Sequence, residues 1–141
     1  MDRLRLFGAI YFLGFIAVVA IGYVPSFHDA QGNLFGLFKL DLYDDSLHLA
    51  SGLWAGIAAW RSREAARFYF RLFGPLYFLD GVFGFFTGSG YLDGGIFLYG
   101  PLDLPLSTRF FANLPHLVIG GLAIWIGWIY ARTRRAGPVP A

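Results

Sequence analysis

Three ionisable side chains set in apolar surroundings carry the chemistry this chain could perform: His48, His116 and Asp80. Two imidazoles and a carboxylate form a donor set for a divalent metal such as Zn, Cu or Fe. Two imidazoles alone can serve as axial ligands to haem b, which would make the chain a small electron carrier or a haem-bearing subunit. A chlorophyll-type pigment also takes histidine, but nothing in the sequence selects one. Each histidine heads a stripe of small residues: His48, Gly52, Ala55 and Ala59 in one case, His116, Gly120, Ala123 and Gly127 in the other. Both stripes keep the spacing i, i+4, i+7, i+11 that places side chains on one helix face. Gly52 and Gly120 either let two helix backbones approach closely or leave room for a flat macrocycle below each ring, so they join the histidines as candidate cofactor contacts.

The elements that position these residues come from a duplication. Arg5-Leu-Phe-Gly-Ala-Ile-Tyr-Phe-Leu13 recurs as Arg71-Leu-Phe-Gly-Pro-Leu-Tyr-Phe-Leu79, and Leu40-Asp-Leu42 recurs as Leu102-Asp-Leu104. Gly32-Asn-Leu-Phe35 answers Gly94-Gly-Ile-Phe97, and His48-Leu-Ala-Ser-Gly52 answers His116-Leu-Val-Ile-Gly120. Self-similarity of this kind sets architecture before local structure does. Residues about 5–61 form one repeat and about 71–132 the other, each a helical hairpin, within a single domain spanning 1–141 that ends in a short basic, proline-containing tail from 133.

Composition fixes the solvent. With 57% hydrophobic and 14% charged residues and a mean hydropathy of +0.56, the chain has too little polar surface to cover a water-soluble globule. It has no cysteine, which excludes disulfides, thiolate metal sites and haem attachment through Cys-x-x-Cys-His. The expected solvent is a lipid bilayer.

Four stretches read as membrane spans, roughly 6–24, 47–60, 68–86 and 110–130. The second holds only about 14 apolar residues where about 20 are usual, so it is expected to begin upstream, near Asp45. Arg3 and Arg5 precede the first span, Arg61, Arg63 and Arg67 fill the turn between the second and third, and Arg132, Arg134 and Arg135 follow the fourth. Basic residues are retained on the cytoplasmic side, which places both termini inside. The two outer loops carry Asp29, Asp41, Asp44, Asp93 and Asp103 against Lys39. The pI of about 9.1 follows from this topology and needs no nucleic acid as partner. A cleaved signal peptide is the competing reading of the first span; its equivalence to the third argues that it is retained. Because both repeats enter from the cytoplasm, they form a parallel-repeat bundle.

The chain resembles an uncharacterised bacterial family of small four-helix integral membrane proteins, a domain of unknown function. The resemblance rests on Phe73-Gly74 followed by Tyr77, Gly81 and Gly84-Phe85, on Gly32-x-Leu-Phe-Gly-x-Phe38, and on Asn113-x-x-His116 leading into an apolar helix. It spans most of the chain, implies the four-helix membrane fold and implies no activity.

Rise along the helices puts His48 and Asp80 roughly 20 Å and His116 roughly 24 Å from the inner border, so the three share a layer in the outer half. Intramembrane ionisable groups usually face the bundle interior and mark function. Asp45 and Asn113, at one offset before each histidine, read as helix N-caps that leave neutral histidines in a structural role. Asp80 could instead pair with Arg109, and His28, in a loop, is expected to be solvated. Trp60, Tyr69, Trp125, Trp128 and Tyr130 read as an aromatic belt at the inner interface. Phe83, Phe85, Phe86, Phe110 and Phe111 are expected to meet lipid or a partner.

No nucleophile elbow surrounds Ser51-Gly52, and the glycines of 88–95 follow no strand and precede no basic residue that would meet a phosphate. An enzyme is therefore not expected. The expected fold is all-α, an integral membrane four-helix bundle of two tandem hairpins, multi-pass in a bacterial inner membrane. The expected role is an accessory or structural subunit packing against a larger membrane protein complex or a second copy of itself. A haem b or divalent-metal protein is the alternative. The symmetry of the repeats predicts one phenotype for His48→Ala and His116→Ala.

Overall fold

Asp2 starts the first helix by accepting a hydrogen bond from the Leu4 N–H at 2.9 Å, and α1 then runs over Arg3–Ile21. The computed structural model describes residues 2–133; Arg134, Arg135 and the rest of the tail lie outside them. A 3₁₀ turn at Pro25–Phe27 and two isolated antiparallel bridges, His28 to Leu34 and Leu34 to Phe38, shape the first loop. Helix α2 covers Leu42–Arg61, with Asp41 as N-cap and Asp44 returning a bond to the Asp41 N–H in a capping box. Its 20 residues begin three positions before Asp45, upstream of the apolar run. Ser62 is the whole connection to α3. Its N–H bonds the Ala58 carbonyl, and its hydroxyl accepts from the Ala65 N–H at 3.0 Å.

Helix α3 covers Arg63–Thr87 and stops at Gly88, whose φ of 79° is the left-handed conformation that glycine adopts without penalty. A short helix, α4, occupies Gly95–Tyr99 in the second loop. Helix α5 covers Leu106–Ile124 and continues through a π-helical turn at Trp125–Tyr130 into Ala131–Thr133. Among the described residues the fold is all-helical. Two of its helical stretches, Arg3–Ile21 and Leu106–Tyr130, are long and apolar enough to cross a membrane, with mean hydropathies of 2.2 and 1.5.

Glycine dictates how the helices pair. In the first antiparallel hairpin, Gly8 faces Ala55 and Ala59, Gly52 faces Phe12 and Phe15, and Gly56 lies against the Phe12 ring. In the second, Gly74 faces Ala123 and Ile124, Gly81 faces His116, Gly120 lies on the Phe78 backbone and Gly127 on that of Phe70 and Arg71. A Cβ at Gly127 would stand 2.8 Å from the Arg71 nitrogen, so glycine is what lets the two backbones approach this closely.

Aromatic rings join the hairpins. Tyr69, Phe73 and Tyr77 stack along α3 at centroid distances of 4.9 and 4.8 Å. Tyr11 of α1 meets Phe70 edge-on at 5.0 Å, and its hydroxyl donates to the Ile119 carbonyl of α5. Tyr69 is fully buried, which removes it from the expected interfacial belt: it lies on the α3 face that α1 and α2 cover, where Trp54 packs edge-on against it. Trp60 keeps the expected exposure, at 81%, and Phe83, Phe86, Phe110 and Phe111 are also exposed.

Candidate functional site

The site is assembled where α2, α3 and α5 meet beneath the second loop. Asp80 sits on α3 with no exposed surface. One carboxylate oxygen, Oδ1, accepts the backbone N–H groups of Tyr91 at 2.7 Å and Leu92 at 2.9 Å, so the loop following α3 folds back and closes over the acid. The other, Oδ2, lies 2.8 Å from His116 Nδ1 on α5. A carboxylate only accepts, so Nδ1 carries the proton and the free ring nitrogen is Nε2. Gly81 makes this approach feasible, because a side chain there would stand 2.8 Å from the His116 Cβ. Gly90 does the same for the loop: a Cβ would meet both Asp80 oxygens and Asp93 Oδ1 at 3.1 Å.

His48 is brought to the same place from α2. Its ring centroid is 6.4 Å from that of His116 with the planes at 89°, and it stacks on Phe15 at 5.8 Å. It is 7% exposed, and its Nδ1 is buried without a hydrogen-bond partner among the described residues. His116 lies under Tyr77, centroid to centroid 4.3 Å. The two histidines therefore share a layer with Asp80, as their depths predict, but occupy different surroundings. One is fixed by a carboxylate and the other is held by ring packing.

Several expectations change on contact with this geometry. Asp45 is not the N-cap of α2, a role taken by Asp41; it lies in the first turn, where its Oδ2 accepts from the Tyr23 hydroxyl at 2.9 Å. Asn113 is not a cap either, because α5 starts at Leu106. Its Nδ2 donates to the Arg109 carbonyl and its side chain fills the space beside Gly84. Arg109 pairs with Asp103 at 3.2 Å and bonds the Leu104 and Phe86 carbonyls, leaving Asp80 to His116. His28 is half-buried, with Nδ1 3.0 Å from the Val24 carbonyl oxygen, and is not a freely solvated side chain.

His48, His116 and Asp80 adjoin one another without forming an ion-binding set. Among the described residues no three His, Asp or Glu side chains are arranged to hold a metal. The reason is local: Asp80 spends both oxygens on protein donors, and one of those donors is His116 itself. Gly52 and Gly120 abut Phe15 and Phe78, so helix packing occupies the space their missing side chains leave. Tyr77, Gly81 and the amides of Tyr91 and Leu92 are the contributors that spacing did not single out. The sequence signal for the first was its place one turn before Asp80.

A family described as a domain of unknown function (DUF4383) matches residues 5–129, and the chain belongs to it. No curated protein and no solved structure matches the chain.

Proposed function

We propose that this DUF4383 member is a multi-pass protein of a bacterial inner membrane, four helices with both termini cytoplasmic, acting as an accessory or structural subunit that packs against other membrane proteins. One contrast carries the reading. The interior is closed by glycine-mediated backbone contact, whereas large apolar side chains such as Leu13, Ile57, Phe68, Leu79 and Phe86 are more than half exposed on the outer faces. Apolar surface on this scale needs lipid or a partner to cover it. Equivalent glycine contacts in the two hairpins support descent from a tandem repeat. The arginines of the α2–α3 turn and the aspartates of the two loops lie at opposite ends of the bundle and support the orientation. On this reading the Asp80–His116 pair fixes the register of α3 against α5 and ties down the second loop.

Photocrosslinkers at Ile57 and Phe86, activated in native membranes, test the role. A discrete adduct with one protein species is expected; adducts with lipid alone would overturn it. Oxidised and reduced visible spectra and metal analysis of the same detergent-purified protein examine the alternative. A Soret band lost in both His48→Ala and His116→Ala would replace the packing role with a haem b protein.

A further inference from the structure

We propose that the groove between α1 and α2 binds an anionic phospholipid, its phosphate at Arg5 and an acyl chain along Ala9, Phe12, Leu53 and Ile57. The proposal rests on the membrane reading above. The groove has a volume of about 490 Å³, and every residue lining it other than Arg5 is apolar or aromatic. Arg5 is fixed at one end of it. Its Nε donates to the Ala59 carbonyl at 2.6 Å and its Nη2 to the Trp60 carbonyl at 3.0 Å, carbonyls of the last turn of α2. These contacts orient the guanidinium without neutralising it, and Arg5 enters none of the ion pairs among the described residues.

A fixed, uncompensated cation at the mouth of an apolar groove complements a molecule with an anionic head and a hydrocarbon tail. Basic pockets between helices on the cytoplasmic side recognise anionic headgroups in this way. Trp60, also on the groove and 81% exposed, has the amphipathic ring that favours the headgroup level. In the second hairpin Arg71, the counterpart of Arg5, lies instead over the Trp128 ring at 4.4 Å.

The test is native mass spectrometry of the full chain in detergent, titrated with palmitoyl-oleoyl phosphatidylglycerol or the phosphatidylcholine of the same chains. The wild type is expected to retain the phosphatidylglycerol about fivefold better, the value of one interfacial arginine. Arg5→Gln should erase that preference while leaving some binding of both lipids, and Ala9→Leu, which fills the groove, should lower retention of both. Arg3→Gln, a change at an exposed arginine outside the groove, should keep the preference. Equal retention of the two lipids by the wild type, or equal losses in Arg3→Gln and Arg5→Gln, would overturn the site. A lipid-free dimer that Ala9→Leu dissociates would also overturn it, because the occupant would then be a second copy. Alkaline extraction of the same membranes separates the two failures: release of the protein into the supernatant defeats the membrane reading itself, and retention confines a negative lipid result to the groove.

Discussion

His116 Nδ1 and Asp80 Oδ2 meet at 2.8 Å across the α3–α5 interface, and the acid's other oxygen holds the loop that follows its own helix. One buried carboxylate thus joins a helix pair and a loop. Removing it with Asp80→Ala leaves the Tyr91 and Leu92 amides and the imidazole without their acceptor and should cost about 3 kcal/mol or more. Asp80→Asn keeps an oxygen for the two amides and should cost roughly half as much. Thermal unfolding in detergent measures both, and equal melting temperatures for wild type and Asp80→Ala would refute the role.

The two histidines should not behave alike, contrary to what repeat symmetry predicts. His116→Ala strands a fully buried carboxylate oxygen, whereas His48→Ala removes a ring whose Nδ1 already lacks a partner. The first is expected to lose about 2 kcal/mol more than the second. A double-mutant cycle of Asp80→Ala with His116→Ala should show coupling of about 1–3 kcal/mol, and the cycle of Asp80→Ala with His48→Ala should be close to additive.

Adjacent glycines of α5 offer a sharper comparison. A Cβ at Gly120 would run into the Phe78 backbone, while at Gly121 the nearest atom, Phe78 Cδ2, is 3.8 Å away. Gly120→Ala should therefore destabilise by about 1–3 kcal/mol through overpacking. Gly121→Ala should be neutral or slightly stabilising, since alanine favours the helix. Reversal of that order would mean that α3 and α5 do not pack in this register.

Asp29 gives the first loop a pH dependence. The Asn33 backbone N–H at 2.7 Å, the Asn33 amide and the Gln31 N–H all donate to its carboxylate, which holds it below the ordinary aspartate range. Because the folded-state value is the lower one, the loop's ordering is complete above the ordinary range and is lost as pH falls through the depressed value. Amide exchange at Asn33 should accelerate at that acid pH relative to intrinsic rates, and Asp29→Ala should show the fast exchange at neutral pH. Protection in Asp29→Ala equal to wild type would remove the carboxylate from the account.

Topology is open to single-cysteine labelling, because the chain has no cysteine of its own. Ser62→Cys marks the arginine-rich turn but removes the hydroxyl that caps α3, so exposed Glu64→Cys is the cleaner probe. An impermeant thiol reagent added to intact cells should miss Glu64→Cys and reach Ser26→Cys in the first loop. Labelling of Glu64→Cys from outside would invert the orientation.

The all-helical architecture, the pairing of α1 with α2 and of α3 with α5, and the convergence of His48 and His116 beside Asp80 are legible in the order of residues. These follow from periodicity, internal sequence similarity and helical rise, which can be read along the chain without its tertiary contacts. What those residues do to one another depends on long-range packing. Whether a glycine admits a ring or a backbone depends on what faces it, and Gly120 meets Phe78 because α3 and α5 settle into one register. The caps differ from expectation for the same reason: Asp45 and Asn113 have the right chemistry, but the helices begin earlier, where Asp41 and Pro105 set the boundary. The asymmetry of the histidines has one sequence signal, since the alignment of Leu13 with Leu79 sets Gly14 opposite Asp80, but its outcome comes from a loop returning over α3 to hold Asp80, a contact between residues that no local pattern connects.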